Sequence, residues 1–279
     1  MQTVGITGAT GYVGSLIERA LLESNYEVVR LVRQPRSNST DRQYALDGPL
    51  SEDLLDGLDS LVLCAWDMRL TDWTEVQAVN IDGSNAILNA ADQGSISRVI
   101  FISSMSAFEK CSSNYGRAKL LVEEQVRRIE HGVVVRPGLI YGESSGGMVG
   151  ALLGIARLSP LLPMVGLGNY KLHTCHVEDL SSLVCSYAAA APLAATQQPI
   201  LAAEATGRPF KTIVRTLAGK NLFFIPVPWR LAWLVLRLLE SLGIRMRMKS
   251  DSLIGLVRSD PAPDFSAQHR LPVTFRPLS

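Results

Sequence analysis

The sequence predicts an α/β protein built on a doubly wound parallel sheet, with a smaller, mostly helical lobe toward the C-terminus. Strand-like and helix-like segments alternate through the first half of the chain, and a glycine-rich turn joins the first strand to the first helix. From about Pro199 onward the alternation fades and proline becomes more frequent. Such alternation implies βαβ units, whose right-handed crossovers place helices on both faces of one parallel sheet.

The elements follow in order from the spacing of apolar residues. Apolar, β-branched runs predict strands, helical periodicity predicts helices, and "LSEDLLDGL" predicts a short helix with an acidic start. The predicted strands are "TVGIT", "EVVRLVR", "SLVLCAW", "RVIFISS" and "GVVVRPGLIYG"; the predicted helices include "SLIERALLES", "TEVQAVNIDGSNAILNAADQG" and the segment around Tyr115. We therefore assign residues 1–140 to the dinucleotide-binding core, with 174–200 returning to it. Residues 141–173 and 201–279 are assigned to the substrate lobe.

Composition excludes several classes of protein. With 279 residues, 47% of them hydrophobic, the chain has ample material for a core. The formal net charge is +1 and no basic stripe dominates, so no nucleic-acid partner is expected. The four cysteines, Cys64, Cys111, Cys175 and Cys185, form no CxxC pair. We expect a reducing, cytoplasmic setting, with no signal peptide and no transmembrane segment.

The stretch "TGATGYVG" places Gly8, Gly11 and Gly14 between the first strand and the first helix. A glycine turn lets the backbone approach a pyrophosphate, and the helix N-terminus offers unpaired N–H groups and a positive dipole end. This context predicts a dinucleotide site that includes the whole turn, and therefore also Thr10, Tyr12 and Val13.

The end of the second strand predicts which dinucleotide binds. No acidic residue precedes Asp41 there to bond the adenosine ribose of NAD, whereas Arg33 and Arg36 stand where a 2′-phosphate would lie. Asp47 is placed to meet the edge of the adenine ring. The prediction is NADP, with NAD as the alternative.

The stretch "SSMSAFEKCSSNYGRAK" contains groups suited to proton transfer. Tyr115 and Lys119 are four residues apart, so they share one face of a helix. A neighbouring ammonium group favours the phenolate and is expected to lower the pKa of the phenol. A serine at the end of the preceding strand could bond the same reacting oxygen.

Together these motifs resemble the short-chain dehydrogenase/reductase superfamily. The GxxGxxG spacing is similar to that of its extended branch, the nucleotide-sugar epimerases and dehydratases. The stretches "VNIDGSNAILNAA", "VVVRPGLIYG" and "HVEDL" also resemble that branch, over about the first 180 residues. The resemblance implies a Rossmann core followed by a substrate lobe.

The resemblance also implies roles for individual residues. Tyr115 would be the acid/base, and Lys119 would lower its pKa and hold the nicotinamide ribose. Ser104 fits the catalytic serine better than Ser103. Cofactor contacts would further include Ala65, Asn80 and Pro137, and no metal is implied.

Two departures from the family bear on the substrate. Phe108 and Glu109 stand where the family often has Tyr-Gly, and the gap from Ser104 to the tyrosine is shorter than in typical epimerases. Met105 and Ser106 occupy the positions of a dehydratase's acidic pair, which favours reduction or epimerisation.

Three functions are compatible with these residues. The first is an NAD(P)-dependent oxidoreductase or epimerase acting on a nucleotide-linked sugar through the Ser/Tyr/Lys site. The second is a reductase of a steroid- or flavonoid-like carbonyl compound. The third is a dinucleotide-binding sensor or assembly factor without turnover, which an intact trio disfavours. The expected partner is a small-molecule substrate, and a homodimer is left open.

Three further segments carry structural or functional signals. His173, Cys175 and His176 in "HTCH" alternate between faces of a strand, so packing is favoured over a metal site. The segment from Pro228 to Lys249 has helical apolar spacing with arginines at 230, 237, 245 and 247. We interpret it as a helix facing the core of the second lobe, with a membrane-surface or partner-binding helix as the alternative. "KSDSLIGL" predicts a helix start capped by Ser250 or Asp251.

Overall fold

A seven-stranded parallel sheet forms the centre of the molecule. The computed structural model describes residues 2–37, 39–94, 96–142, 146–189, 198–244 and 249–279. The strands are β1 (Thr3–Thr7), β2 (Glu27–Val32), β3 (Arg42–Gln43), β4 (Ser60–Leu63), β5 (Arg98–Ile102), β6 (Gly132–Pro137), β7 (Leu139–Tyr141), β8 (Leu161–Val165), β9 (Lys171–Leu172), β10 (Thr174–His176), β11 (Ile200–Ala202), β12 (Arg208–Pro209) and β13 (Phe223–Val227). The sheet order is β11-β6-β5-β4-β1-β2-β3, so the chain reverses direction across the sheet between β1 and β4. This order confirms the predicted doubly wound fold.

Helices cover both faces of this sheet. The helices of the described chain are α1 (Tyr12–Glu23), α2 (Trp73–Glu75), α3 (Asp82–Gln93), α4 (Asn114–Val126), α5 (Gly147–Leu158), α6 (Val177–Ala188), α7 (Phe210–Ala218), α8 (Trp229–Ser241) and α9 (Ser250–Val257), with a π-helical turn over Val76–Ile81 and a 3₁₀ turn over Gln268–Arg270. Ile17 of α1 and Leu180 of α6 pack in one apolar cluster on the sheet, and Ile87 of α3 and Val122 of α4 pack in another. The sheet is therefore buried on both faces, which explains its nearly continuous apolar strands.

The prediction of a short helix over "LSEDLLDGL" is wrong. Residues 52–57 form a series of turns, with backbone bonds three residues apart such as Leu54 N–H to Ser51 O at 3.1 Å. Gly57 has a φ of 69°, which ends the segment in a left-handed conformation. Leu54 and Leu58 are nevertheless buried against the sheet, so the segment supplies apolar contacts without forming a helix.

The second part of the chain forms a smaller unit beside the sheet. Its core contains Leu152, Leu162, Met164 and Phe210, and short strand pairs (β7 with β10, β8 with β13, β9 with β12) connect its helices. The predicted division into core and lobe stays a prediction. The last strand of the sheet, β11, ends at Ala202, and Phe275 near the C-terminus packs in the apolar cluster against the sheet.

The interpretation of the segment that forms α8 as a core-facing helix is wrong. None of its side chains is fully buried, and several of its leucines are more than half exposed. The helix ends at Ser241, and positions 245 and 247 lie outside the described residues. Within the described ranges, no helix is both long and apolar enough to cross a membrane.

Candidate active site

The turn after β1 can be built only from glycine at two of its positions. Gly8 has a φ of 69°, and a Cβ there would lie 2.7 Å from the backbone nitrogen of Ala65. A Cβ on Gly14 would lie 2.2 Å from the Gly8 carbonyl oxygen. Thr7 ties this turn to the end of β4, since its hydroxyl accepts from the backbone N–H of Ala65 at 3.0 Å. Gly11 caps α1 without a side chain, so the N–H groups of the first turn remain available to an anion.

A cavity of about 380 Å³ lies above this turn, at the carboxyl ends of β1, β2 and β4. Six predicted cofactor residues line it: Gly8, Thr10, Gly11, Arg33, Asp47 and Ala65. Val13 and Gly14 follow directly in the first turn of α1. The glycine cradle, the uncapped helix start and the position at the switch point of the sheet fit a dinucleotide.

The two arginines predicted for a 2′-phosphate are placed differently. Arg33 is exposed and lines the cavity. Arg36 is not among the lining residues; its Nε and Nη2 donate to the Asp41 carboxylate at 3.0 and 3.1 Å. Asp41 is 2% exposed in its side chain and is also held by Arg30 at 3.8 Å. Arg33 is therefore the better placed of the pair to meet a phosphate.

Three other predicted cofactor residues lie beside the cavity. Asn80 is fully buried, and its amide accepts from Asp67 N–H at 2.7 Å and donates to Asp67 O at 3.1 Å. It thus holds the loop after β4 in place. The Tyr12 phenol oxygen is buried without a hydrogen-bond partner among the described residues, and its ring lies against Gly146. Pro137 lines a second cavity.

That second cavity, of about 340 Å³, is lined by two of the three predicted proton-transfer groups, and Lys119 is not one of its lining residues. Ser104 and Tyr115 line it together with Pro137, and Met68 lines both cavities, so the two meet there. The remaining walls come mainly from the smaller lobe and from the residues that follow β5: Met105, Ser106, Ser113, Gly138, Leu139, Gly147, Lys171, Leu172, His173, Asp251, Ser252, Gly255, Leu256, Ser259 and Asp260.

The pKa of Tyr115 differs from the sequence-based expectation. Burial raises its pKa to about 12, and the hydrogen bond with the Ser104 hydroxyl lowers it only in part. The expected fall in pKa caused by Lys119 is wrong for this geometry, because desolvation of the phenolate outweighs the other contributions. Tyr115 therefore carries its proton at neutral pH and is suited to donate it.

Lys119 is 3% exposed and lies under aromatic rings. Its Nζ donates to Ile102 O at 2.8 Å and lies 3.9 Å from the ring centroid of Trp66 and 4.5 Å from that of Phe101. The centroid of the Tyr115 ring is 5.9 Å away. Burial lowers the pKa of Lys119 to about 7, although Cys64 and Glu123 act in the opposite direction.

The neighbouring serines have different surroundings. The Ser103 hydroxyl is buried and donates to Glu123 Oε1 at 2.5 Å, while Arg136 donates to the same carboxylate at 2.8 and 2.6 Å. Ser104 instead lines the cavity beside Tyr115. Ser103 thus belongs to a buried network behind the strand, which agrees with the choice of Ser104 from the resemblance.

This difference predicts opposite effects of two alanine substitutions. Ser104→Ala should lower kcat by about 10²-fold, the usual cost of removing one donor from a reacting oxygen. It should lower the melting temperature less than Ser103→Ala does, because the bond that Ser104 accepts from Ser106 N–H at 3.0 Å involves no charged group. Ser103→Ala should lower the melting temperature and largely preserve kcat, because Glu123 loses a buried donor. Steady-state kinetics and thermal unfolding of both variants test this. A larger loss of kcat in Ser103→Ala would show that Ser103, and not Ser104, bonds the reacting oxygen.

Sequence reasoning missed two residues at the site. Trp66 lies over Lys119 and meets Tyr115 edge-on, with ring centroids 6.0 Å apart. The Asp251 carboxylate accepts from the backbone N–H groups of Asn114 and Tyr115 at 2.7 and 2.9 Å, so it caps α4 from the smaller lobe. The position of Trp66 directly after Ala65, at the end of a strand, was a signal that could have found it.

The predicted cap of α9 is therefore wrong. Lys249 is the capping position, and Ser250 is the first helical residue, with its N–H and hydroxyl both donating to Glu240 at 2.7 Å. Asp251 does act as a cap, but for a different helix.

The histidines considered for a metal have other partners: His173 Nδ1 lies 2.9 Å from Glu204 O, and His176 accepts from Glu178 N–H. The described part of the chain contains no cluster of three or more His, Cys, Asp or Glu side chains able to hold a metal.

Comparison with known proteins identifies the family to which this chain belongs. The model of the NAD-dependent epimerase/dehydratase family matches residues 4–196, and the chain belongs to this family. A ceramide reductase of Caulobacter vibrioides is 30% identical over 193 residues, which cover 66% of this chain and 60% of the relative. The N-acetyl-alpha-D-glucosaminyl-diphospho-ditrans,octacis-undecaprenol 4-epimerase of Escherichia coli O157:H7 is 28% identical over 201 residues, covering 61% and 58%. The chain therefore spans about 60% of the length of these curated relatives.

Solved structures show the same fold at low sequence identity. The NAD-dependent NDP-hexosamine 5,6-dehydratase TunA is 16% identical with a TM-score of 0.70, covering 97% of this chain and 91% of that one. The UDP-glucuronic acid 4-epimerase of Bacillus cereus, solved with NAD, is 17% identical with a TM-score of 0.65, covering 81% and 88%. The architecture of this chain is thus the one used by nucleotide-sugar enzymes.

Proposed function

We propose that this protein is an NAD(P)-dependent oxidoreductase or epimerase that acts through Ser104, Tyr115 and Lys119. The observation that carries the proposal is that Tyr115 lies beside Ser104, four residues before buried Lys119, in a cavity that meets the cavity above the glycine turn at Met68. Membership of the epimerase/dehydratase family supports it.

The residues divide the chemistry between them. A nicotinamide dinucleotide, when bound, supplies or accepts the hydride. Tyr115 is protonated at neutral pH, so it donates its proton to the oxygen of a carbonyl group as that oxygen gains charge. Ser104 bonds the same oxygen. The role of Lys119 in holding the cofactor's ribose rests on the family resemblance, because the residue is 3% exposed and is a lining residue of neither cavity. Lys119 is buried, so little water reaches its amine, whereas the half-buried Tyr115 faces the cavity that would receive the substrate.

A nucleotide-linked sugar is the first candidate substrate. Its support comes from the fold, which this chain shares with a UDP-glucuronic acid 4-epimerase and an NDP-hexosamine dehydratase. The substrate cavity would then bind a diphosphate, for which Lys171 is the one lysine or arginine among the described lining residues.

An apolar carbonyl compound is the second candidate, and the walls of the cavity favour it. Met105, Leu139, Leu172 and Leu256 contribute apolar surface, while Asp251 and Asp260 would repel a diphosphate. The relative described as a ceramide reductase supports this alternative.

An assay of both substrate classes tests the proposal. The purified chain is incubated with NADPH or NADH and either UDP-sugars or apolar aldehydes and ketones, and oxidation of the cofactor is followed by its absorbance. Epimerisation is followed separately by chromatography of the sugar nucleotides. Turnover that requires Tyr115 supports the proposed function, whereas tight dinucleotide binding without turnover on either panel favours the non-catalytic sensor.

The cofactor preference depends on Arg33. We expect tighter binding of NADPH than of NADH by at least about tenfold, because a charge-assisted bond to a 2′-phosphate contributes roughly 1.5–3 kcal/mol. Arg33→Ala should weaken NADPH binding and leave NADH nearly unaffected in fluorescence titrations. Arg36→Ala is the matched control with a smaller expected effect, since that guanidinium already binds Asp41. Tighter NADH binding by the unaltered protein would contradict the preference.

A further inference from the structure

Helix α8 presents an apolar stripe to solvent. The stripe consists of Leu231, Leu234, Val235, Leu238 and Leu242. Leu234 and Val235 are adjacent and the other steps are three or four residues, so all five side chains share one helical face. Their exposed fractions are 53%, 58%, 47%, 59% and 66%. Large apolar side chains exposed together in this way mark an interaction surface rather than ordinary surface variation.

The stripe lies next to the wall of the substrate cavity. Helix α8 packs against α9, and Gly255 and Leu256 of α9 line that cavity. The connection is tightened by Glu240 of α8, which accepts two hydrogen bonds from Ser250 at the start of α9. A surface that covers the stripe would therefore lie beside the cavity.

The charges of α8 select the kind of surface that it fits. Arg230 and Arg237 are exposed on the helix, seven residues apart, and Arg230 lies over the ring of Trp229. Glu240, the acidic residue of the helix, is engaged with Ser250. The helix thus combines a stripe of leucines with flanking arginines, which is the composition of a helix that lies in a membrane interface. Trp229 and Trp233 lie on the opposite side of the helix, where Arg258 lies over the Trp229 ring.

We propose that α8 docks this protein on a lipid bilayer that contains anionic lipids. The leucines of the stripe enter the acyl boundary, and the arginines contact the negatively charged headgroups. A second copy of the chain fits less well. A two-fold contact along α8 would bring Arg230 of one copy toward Arg237 of the other, and like charges would meet across it.

Vesicle binding tests the proposal on the full chain and needs no turnover. The protein is mixed with vesicles of phosphatidylcholine alone or of phosphatidylcholine with phosphatidylglycerol, and the bound fraction is measured by flotation. We expect the protein to float with the anionic vesicles and not with the neutral ones. Arg230→Ser with Arg237→Ser should reduce binding to anionic vesicles at least about tenfold.

A matched pair of leucines separates docking from general surface effects. Leu234→Glu should weaken binding by at least about tenfold, whereas Leu22→Glu should leave it unchanged. Leu22 lies on α1 and is 53% exposed, against 58% for Leu234, so neither substitution should alter the melting temperature. The proposal is overturned if the unaltered protein does not float, if neutral and anionic vesicles bind equally, or if both variants lose binding alike. It is also overturned if ultracentrifugation shows a dimer that Leu234→Glu dissociates.

Discussion

Tyr115→Phe is expected to lower kcat by about 10²–10⁴-fold, the range that general acid–base catalysis contributes. The substitution removes one oxygen and keeps the ring, so the edge-on contact with Trp66 at 6.0 Å survives. The phenol is buried and its pKa is raised to about 12, so it holds the proton that a substrate oxygen requires. Steady-state kinetics in the direction of carbonyl reduction measure the effect, and circular dichroism with thermal unfolding checks the fold.

Tyr187→Phe is the matched control for this experiment. Tyr187 is 3% exposed and packs in the apolar cluster on the opposite helical layer, so it loses the same atom from a buried ring away from both cavities. Its kcat should stay close to that of the unaltered protein. A Tyr115→Phe enzyme with near-normal turnover would sink the assignment of the acid, since no other phenol lines the substrate cavity among the described residues.

The parts of the site that the sequence predicts are those fixed by local geometry. The glycine turn needs only neighbouring backbone, as the close approach of Gly14 to Gly8 shows. Tyr115 and Lys119 share a helical face because of their spacing, and a serine directly after β5 is likewise a local feature, although the choice of Ser104 rests on the family resemblance. Each of these depends on residues within one strand, one turn or one helix.

The parts that it does not predict depend on contacts between distant segments. Asp251 caps the helix of Tyr115 from 136 residues away. Arg36 looks equivalent to Arg33 in the sequence, yet the fold of its loop pairs it with Asp41. An apolar stripe such as that of α8 shows that a face can be covered, but its burial depends on whether another element reaches it.

The pKa of Tyr115 illustrates the same limit in energetic terms. A lysine four residues away is a local feature, and it correctly predicts proximity. Burial is a property of the whole fold, and here it dominates both groups, raising the pKa of the phenol and lowering that of the amine. Desolvation therefore decides which of these groups carries a proton before any substrate binds.

Lys119→Met is expected to abolish most cofactor binding and turnover while making the protein more stable at neutral pH. Burial lowers the pKa of Lys119 from 10.5 to about 7. Each pKa unit corresponds to about 1.4 kcal/mol, so the cost of charging this lysine in the folded protein reaches about 5 kcal/mol. Methionine avoids that cost but gives up the hydrogen bond to Ile102 O, worth about 1–3 kcal/mol once the carbonyl is left buried and unpaired. A net gain of at least about 1 kcal/mol is therefore expected.

The dependence on pH distinguishes this explanation from a general packing effect. Between the folded pKa of about 7 and the ordinary value of 10.5, the unfolded chain binds more protons at this lysine than the folded protein does. The destabilising effect of Lys119 is therefore largest below the folded pKa, becomes smaller as the pH rises through that window, and is absent above it. Denaturant unfolding of the unaltered protein and of Lys119→Met at several pH values should show the gain shrinking as the pH approaches 10.5. Lys110→Met, at an exposed lysine, is the control and should show no such trend. A gain that is independent of pH would show that Lys119 does not carry this cost. Unchanged cofactor affinity in fluorescence titrations would show that it does not reach the ribose.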